Sequence, residues 1–304
     1  MKCEDKGLRA VVLGAAAGGG FPQWNCACRL CALVRQGDPR TAAASQASVA
    51  VSALPNQWLV VGASPDLRQQ ILATPALHPH ADEARSSPIA GVVLLSADVD
   101  GIAGLIVLRE RQPFRIFAPA PIFDVVRANS LFGVLDPALV EQVELRPGEP
   151  IACAGIELTL LPMPGKVPLY LEDRASAAPE PGPAYAAQLR AGGRSVVVAP
   201  ACAALDDAVL DRVGGHDAVF FDGTLFEDNE MIKAGAGTKT GRRMGHVPIN
   251  GPDGSLARLA SLPGRRIFFH INNTNPILLQ GSPERQQVEA AGCEVGYDGM
   301  DVRV

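Results

Sequence analysis

The feature that most constrains the fold is a series of nine short apolar runs, rich in β-branched residues and bounded by Gly, Pro or Asn. Runs of this kind predict β-strands, and they lie at 9–13, 48–52, 58–61, 91–95, 114–117, 156–161, 195–198, 218–221 and 266–269. Between several of them, segments of helical character begin near a proline or an aspartate, at 65–74, 121–130, 206–213 and 283–291. A chain that mixes such strands and helices predicts an α/β fold, with helices covering the faces of sheets.

Composition and charge exclude several classes of protein. The chain has 304 residues, 47% of them hydrophobic, so it can bury a large core, and we expect one domain over residues 1–304. Its 27 basic and 32 acidic side chains leave a net charge of −5, which argues against nucleic-acid binding through bulk positive charge. No apolar run reaches the length of about 18 residues that a membrane-spanning helix needs, so no membrane insertion is expected. The seven cysteines are too sparse for a disulfide scaffold, which favours a reducing, cytoplasmic location.

Three of the cysteines, Cys26, Cys28 and Cys31, follow a run of glycines in the segment 18–34, which we expect to be a loop. Thiols at this close spacing can turn toward one point, and Zn²⁺ favours a tetrahedral site rich in thiolates. The pattern indicates a structural zinc site whose fourth ligand comes from elsewhere. Two other interpretations stay open: three buried cysteines without a metal, or redox chemistry at the Cys28 and Cys31 pair.

Polar residues that can bind a metal follow three of the predicted strands. Asp98 and Asp100 come after one strand, Asp222 follows a second, and His270 follows a third. Strand ends on one side of a sheet lie together, so these side chains are expected to converge. Taken singly, each is as readily a solvated loop acid or a structural histidine, but together they favour a metal site.

A glycine-broken segment, 235–246, carries cations and ends in a histidine. Lys239, Arg242 and Arg243 lack the spacing of a phosphate-binding loop, but they can bind the carboxylates of a substrate or form a solvated basic surface. His246 is close enough in sequence to belong to the same site. A proline-rich stretch at 163–185 has no clear period and predicts a long loop or lid.

Several longer motifs together resemble one known family. They are FPQWNC at 21–26, DGTL at 222–225, TGR at 240–242, MGH at 244–246, the segment 270–276 and YDGM at 297–300. They are similar, essentially from end to end of the chain, to the pyrroloquinoline quinone (PQQ) biosynthesis protein B family, a divergent branch of the metallo-β-lactamase superfamily. The resemblance implies an αββα sandwich: two mixed sheets face to face, helices outside, and a metal site along one edge.

The resemblance also implies that most superfamily metal ligands are replaced. The three histidines of the usual His-x-His-x-Asp-His motif fall on Ser96, Asp98 and Gly101. Its aspartate falls on Asp100, and His270 alone keeps the place of the last histidine ligand. Such a set does not hold the two zinc ions of a hydrolase, so metal-dependent hydrolysis is the weakest functional hypothesis.

For this family, the resemblance implies an oxidoreductase that hydroxylates the tyrosine ring of a small, cross-linked Glu-Tyr precursor of PQQ, with O₂ as co-substrate. Asp98, Asp100 and His270 would hold Fe²⁺, with Asp222 as an additional ligand; oxygen donors with imidazole and open positions suit non-haem iron. His246 either completes the ligand shell or acts as a general base on the phenol.

For the cysteine cluster, the resemblance implies structural Zn²⁺, because a subset of the superfamily binds zinc through the same Cys-x-Cys-x₂-Cys spacing. In some relatives a histidine three residues after the last active-site histidine completes the zinc shell, and here that position is Asn273. The fourth ligand is therefore Asn273, water or a residue of a partner subunit, and the last choice would tie the zinc to a homodimer.

A second hypothesis is a non-catalytic carrier that holds PQQ or its precursor and assists export. A carrier binds the compound unchanged, whereas a hydroxylase consumes O₂. Other proteins of PQQ biosynthesis are expected partners in both cases.

Overall fold

The chain forms two β-sheets with helices around them. A computed structural model of the protein describes residues 7–81, 83–166 and 184–304. Within these residues the strands are β1 (Arg9–Gly14), β2 (Ser48–Leu54), β3 (Gln57–Val61), β4 (Ile89–Val93), β5 (Phe114–Ala118), β6 (Val140–Glu144), β7 (Pro150–Cys153), β8 (Ile156–Met163), β9 (Ala184–Ala191), β10 (Arg194–Ala199), β11 (Ala218–Asp222), β12 (Arg265–Phe269), β13 (Glu294–Val295) and β14 (Asp301–Arg303). The helices are α1 (Arg29–Arg35), α2 (Leu67–Ala73), α3 (Val99–Ile102), α4 (Ala120–Ala128), α5 (Asp207–Val213), α6 (Glu230–Lys233), α7 (Ser255–Leu259) and α8 (Pro283–Ala290).

Each sheet has seven strands and mixed topology. The first has the order β14-β1-β2-β3-β4-β5-β6, and the second has the order β13-β12-β11-β10-β9-β8-β7. In the second sheet β10, β11, β12 and β13 run parallel, so their carboxyl ends lie at the same edge. In the first sheet β3, β4, β5 and β6 are likewise parallel.

Strand β10 is buried on both faces, which explains its unbroken apolar run. Val196 and Val198 belong to the large hydrophobic core to which both sheets contribute. Val197, between them, belongs to a second core that includes residues of α5, α7 and α8. Successive side chains of a strand point to opposite faces, so one run of valines supplies both cores. The predicted α/β class with two packed mixed sheets is confirmed.

Most of the predicted elements are present. The nine predicted strands and four predicted helices all occur, with ends within two residues of the expected ones. Strands β6, β7, β9, β13 and β14 were not predicted. The segment 18–34 is not a loop throughout, because α1 begins at Arg29 and carries Cys31. Leu30 and Cys31 are buried there against Phe21 and Leu279, and this small core stabilises the short helix.

The proline-rich segment predicted at 163–185 lies mostly outside the described residues, which exclude 167–183. Of its ends, Met163 closes β8 and Ala184 opens β9, so the two strands that flank it pair directly. Among the described residues, no helix combines the length and the apolar character needed to cross a membrane.

Candidate metal centre

The strand ends bring the predicted ligands together. Asp222 is the last residue of β11, and His270 directly follows β12, its parallel neighbour. His246 comes from the loop before α7, and one ligand atom of each of these three residues lies within 4.8 Å of the others. Across the sandwich, Asp100 of α3 places Oδ2 3.2 Å from Nε2 of His270. Two imidazoles and two carboxylates thus meet where the edges of both sheets face each other.

Asp98 stands slightly apart from this cluster. It precedes the first residue of α3, and its carboxylate accepts a hydrogen bond from the Ser96 hydroxyl at 2.7 Å. The sequence predicts Asp98 as a main metal ligand, with Asp222 and His246 as additional members of the site. The geometry instead groups Asp222 and His246 with His270, since their ligand atoms lie within 4.8 Å of one another, whereas the carboxylate of Asp98 is bonded to Ser96.

The hydroxyl of Thr224 lies at the centre of the hydrogen bonds behind the imidazoles. It is 2.9 Å from Nδ1 of His270, 3.1 Å from Nδ1 of His246 and 2.7 Å from Oδ1 of Asp222. The other oxygen of Asp222 is 2.8 Å from Nδ1 of His246 and accepts a bond from the backbone N–H of Cys202. Nδ1 of each imidazole is therefore held by hydrogen bonds, to Thr224 in both cases and also to Asp222 for His246. The two rings stack with centroids 5.4 Å apart. Sequence reasoning missed this role of Thr224, although the DGTL motif contains it.

His270 has a left-handed backbone conformation, with φ of +56°. This region is uncommon for residues other than glycine, and in a fold it is retained where the surroundings over-determine it. Here the following residue, Ile271, donates to Ala15 O and accepts from Ala17 N, which anchors the turn on the glycine loop of the opposite sheet. The strained turn aims the ring at Asp100.

Burial and charge act in opposition in this cluster. Burial alone would raise the pKa of Asp222, but the neighbouring His246 and His270 hold it below its usual range. Asp100 behaves alike: burial would raise its pKa, but the hydrogen bond and charge of His270, with a smaller effect of His246, together lower it. Burial would lower the pKa of His270, yet Asp100 and the other carboxylates raise it. For Asp98, burial together with the charge of Asp100 raises the pKa despite the Ser96 hydrogen bond.

A cavity of about 470 Å³ opens onto the cluster. Asp98, Asp100, His246 and His270 line it, so they face a space of the size that holds a small molecule. Its other walls include Gln23, Pro121, Ile122, Tyr185, Pro200, Met231 and Met244.

The cations predicted to bind substrate do not line this cavity. Arg242 and Arg243 are exposed on a short 3₁₀ turn, and Gly245, with φ of +87°, then reverses the chain so that His246 faces inward. Lys239 is half-buried but also lies outside the cavity lining. Among the described residues the one cation in the lining is Lys166, just after β8.

The three cysteines of the zinc motif converge as predicted, with their sulfurs within 4.8 Å of one another. The side-chain nitrogen of Asn273 lies 3.2, 3.6 and 3.3 Å from the sulfurs of Cys26, Cys28 and Cys31. Burial raises the pKa of Cys28 to about 11. Burial would also raise the pKa of Cys26, but hydrogen bonds with Cys28, Cys31 and Asn273 outweigh burial and lower it. The side-chain amide of Asn273 therefore contacts all three sulfurs.

Comparison with known proteins decides the family. The model of the β-lactamase superfamily domain matches residues 57–271. Coenzyme PQQ synthesis protein B of Methylobacterium nodulans is 50% identical over 303 residues, which cover 98% of this chain and all of that protein. The chain belongs to the coenzyme PQQ synthesis protein B family. The family that the sequence motifs resemble is thus confirmed.

Solved structures agree with this assignment to the PQQ synthesis protein B family. The crystal structure of Zn²⁺-bound PqqB from Methylobacterium extorquens superposes with a TM-score of 0.94 at 44% identity, over 97% of this chain and all of that one. A diphosphatase of the PhnP family has a TM-score of 0.69 at 17% identity, over 98% of this chain and 97% of that one, which shows the shared fold alone.

Proposed function

We propose that this protein acts in PQQ biosynthesis as an iron- and O₂-dependent hydroxylase of the tyrosine ring of a cross-linked Glu-Tyr precursor. The observation that carries the proposal is the donor set at the cavity: two imidazoles and neighbouring carboxylates, with no thiolate among them. Non-haem iron oxygenases use two histidines and one carboxylate and leave further positions for O₂ and substrate. The family name, coenzyme PQQ synthesis protein B, supports the pathway.

The residues fit such an ion. His246, His270 and Asp100 are the proposed ligands, with Asp222 behind His246 and Asp98 facing the cavity. Nε2 of His270 and Oδ2 of Asp100 lie 3.2 Å apart, so one nitrogen and one oxygen donor would be close enough to hold the same ion. When bound, Fe²⁺ supplies the activation of O₂ that no side chain provides. Each hydroxylation inserts one oxygen atom and reduces the other to water, which consumes two electrons from a reductant.

Lys166 is the proposed partner of the precursor's carboxylates. Its aliphatic stem lies over Gly245, where a Cβ atom would approach Lys166 Cγ to 2.9 Å, so the stem runs beside the His246 loop. Lys239, Arg242 and Arg243 are left with the more distant role of attracting an anionic precursor, which long-range charge can do without contact.

We propose Zn²⁺ at Cys26, Cys28 and Cys31, in keeping with the Zn²⁺-bound relative. The convergence of three thiols fits this ion. Rotation of the Asn273 amide by 180° exchanges its nitrogen for its oxygen and would offer an oxygen ligand. The alternatives to Asn273 as the fourth ligand are water and a residue of a partner subunit.

The test is O₂ consumption and product mass with the Glu-Tyr precursor, a reductant, and apo protein loaded anaerobically with Fe²⁺. O₂ uptake with a mass increase of about one oxygen atom per turnover is expected, and Asp100→Ala and His270→Ala should abolish both while remaining folded. Uptake that persists in either variant refutes the proposed ligands. Tight precursor binding with no O₂ uptake in any sample would instead support the carrier hypothesis.

A further inference from the structure

The hydroxyl of Thr224 makes more polar contacts than its single proton can serve. Thr224 is buried, and within 3.1 Å its oxygen has Oδ1 of Asp222, Nδ1 of both histidines and the carbonyl oxygen of His270. A hydroxyl donates one hydrogen bond and accepts two. The contacts can therefore be satisfied only in particular protonation patterns of the two rings.

The charges select one pattern. An ionised carboxylate only accepts, and it is a stronger acceptor than a carbonyl, so the Thr224 proton goes to Asp222, the shortest contact at 2.7 Å. The hydroxyl then has only lone pairs left, and Nδ1 of His270, 2.9 Å away, must donate to it. Nδ1 of His246 faces Asp222 Oδ2 at 2.8 Å and Thr224 at 3.1 Å, both acceptors, and must donate as well.

We infer that Thr224 is a positioning residue which, together with Asp222, fixes the proton of both imidazoles on Nδ1 and so leaves both Nε2 atoms as the metal-binding atoms. The inference rests on the proposed metal site but not on hydroxylation. It also makes Asp222 a support for His246 rather than a ligand. Metal-binding histidines generally donate their second N–H to such partners, and losing the partner weakens metal binding about 10- to 100-fold.

Two variants separate the hydroxyl from the rest of the residue. Thr224→Val keeps the size and the branched shape, and it keeps the backbone bonds from Thr224 N to Asp222 and from Asn272 N to Thr224 O. It replaces only the hydroxyl, with a methyl group. Thr224→Ser keeps the hydroxyl and removes the methyl group, so it is the matched control.

The experiment uses the full chain with ¹⁵N-labelled histidine and bound ¹¹³Cd²⁺, a redox-inactive ion, so that its result does not depend on turnover. We expect protons on Nδ1 and cadmium coupling on Nε2 of both His246 and His270. Cadmium coupling to Nδ1 of either residue, or to neither residue, overturns the inference even if Thr224→Val fails to fold.

Metal affinity provides the second measurement, with Co²⁺ titrated into each chain. Thr224→Val should weaken binding at the histidine site about 10- to 100-fold, and Thr224→Ser should stay near the wild-type value. Equal affinities in all three chains, or equal losses in both variants, would contradict the inference. If O₂ uptake fails while cadmium couples to Nε2 of both histidines, the hydroxylase proposal is contradicted and the inference about Thr224 stands.

Discussion

A buried glutamate that bonds to the segment after His270 should make the protein less stable as the pH rises. Glu230 opens α6, and only 8% of it is exposed. One carboxylate oxygen accepts from the Thr274 hydroxyl at 2.6 Å, and the other accepts from the Phe226 N–H at 2.8 Å. Burial nevertheless dominates, and it raises the pKa of Glu230 from 4.5 to about 7.

The sign and size follow from linkage between protonation and folding. The native state holds the Glu230 proton more tightly than the unfolded state, so this contribution is complete below pH 4.5 and is lost as the pH rises through about 7. At about 1.4 kcal/mol per pH unit, the loss amounts to roughly 3 kcal/mol. Glu230→Gln imitates the protonated acid, because its amide can donate to Thr274 Oγ1 while its oxygen accepts from Phe226 N–H. The variant should not show this loss.

The assay is urea denaturation of both chains, equally loaded with zinc, at about pH 5 and about pH 8. Relative to wild type, Glu230→Gln should gain roughly 2.5 kcal/mol between the two conditions, because part of the unfolded-state carboxyl is already ionised at about pH 5. The exposed Glu149→Gln is the control and should behave like wild type at both values. A difference between Glu230→Gln and wild type that does not change with pH would refute the reasoning, since Glu230 would then titrate alike in both states.

Two further predictions concern the cavity and the cysteine cluster. Lys166→Met should raise KM for the precursor about tenfold or more, as a lost charge-assisted bond would, whereas exposed Arg242→Ala should change it little; equal effects would favour general attraction over contact. Cys31→Ala should release zinc and lower the free energy of unfolding by about 2 kcal/mol or more, measured by metal analysis and urea denaturation. Cys293→Ala, which removes a buried thiol outside the cluster, should keep the metal, and an unchanged zinc content in Cys31→Ala would contradict the assignment.

The regular strands could be predicted from the sequence because burial on two faces leaves a strong local signal. Four of the five missed strands lack this signal for identifiable reasons. β6 (VEQVE) is a charged edge strand, β9 (AYAAQLRA) is rich in alanine and follows the proline-rich segment, and β13 and β14 have only two and three residues. Pairing with neighbouring strands, which no local pattern reveals, stabilises these segments.

The candidate metal centre likewise contains residues that the sequence predicts and residues that it does not. Asp222 and His270 could be predicted to converge because each ends a strand, and strand ends meet by topology. Lys166 could not be predicted, since it lies in the proline-rich segment and reaches the cavity only where the chain passes over Gly245. The cations of the 235–246 segment show the opposite case. Arg242 and Arg243 are near His246 in sequence, but both are exposed on a short 3₁₀ turn and do not line the cavity.

The two proposed metal sites share one segment, 270–275, but loss of one metal need not cause loss of the other. His270 begins it, and Asn273 contacts the three sulfurs. The segment is also held independently of zinc: Ile271 bonds to Ala15 and Ala17, and the side chain of Asn275 donates to the Gly223 carbonyl. Because these bonds survive loss of the zinc, Cys31→Ala should lower stability while leaving the Co²⁺ affinity of the histidine site nearly unchanged. A joint loss of both metals would show instead that Asn273 transmits zinc binding to His270.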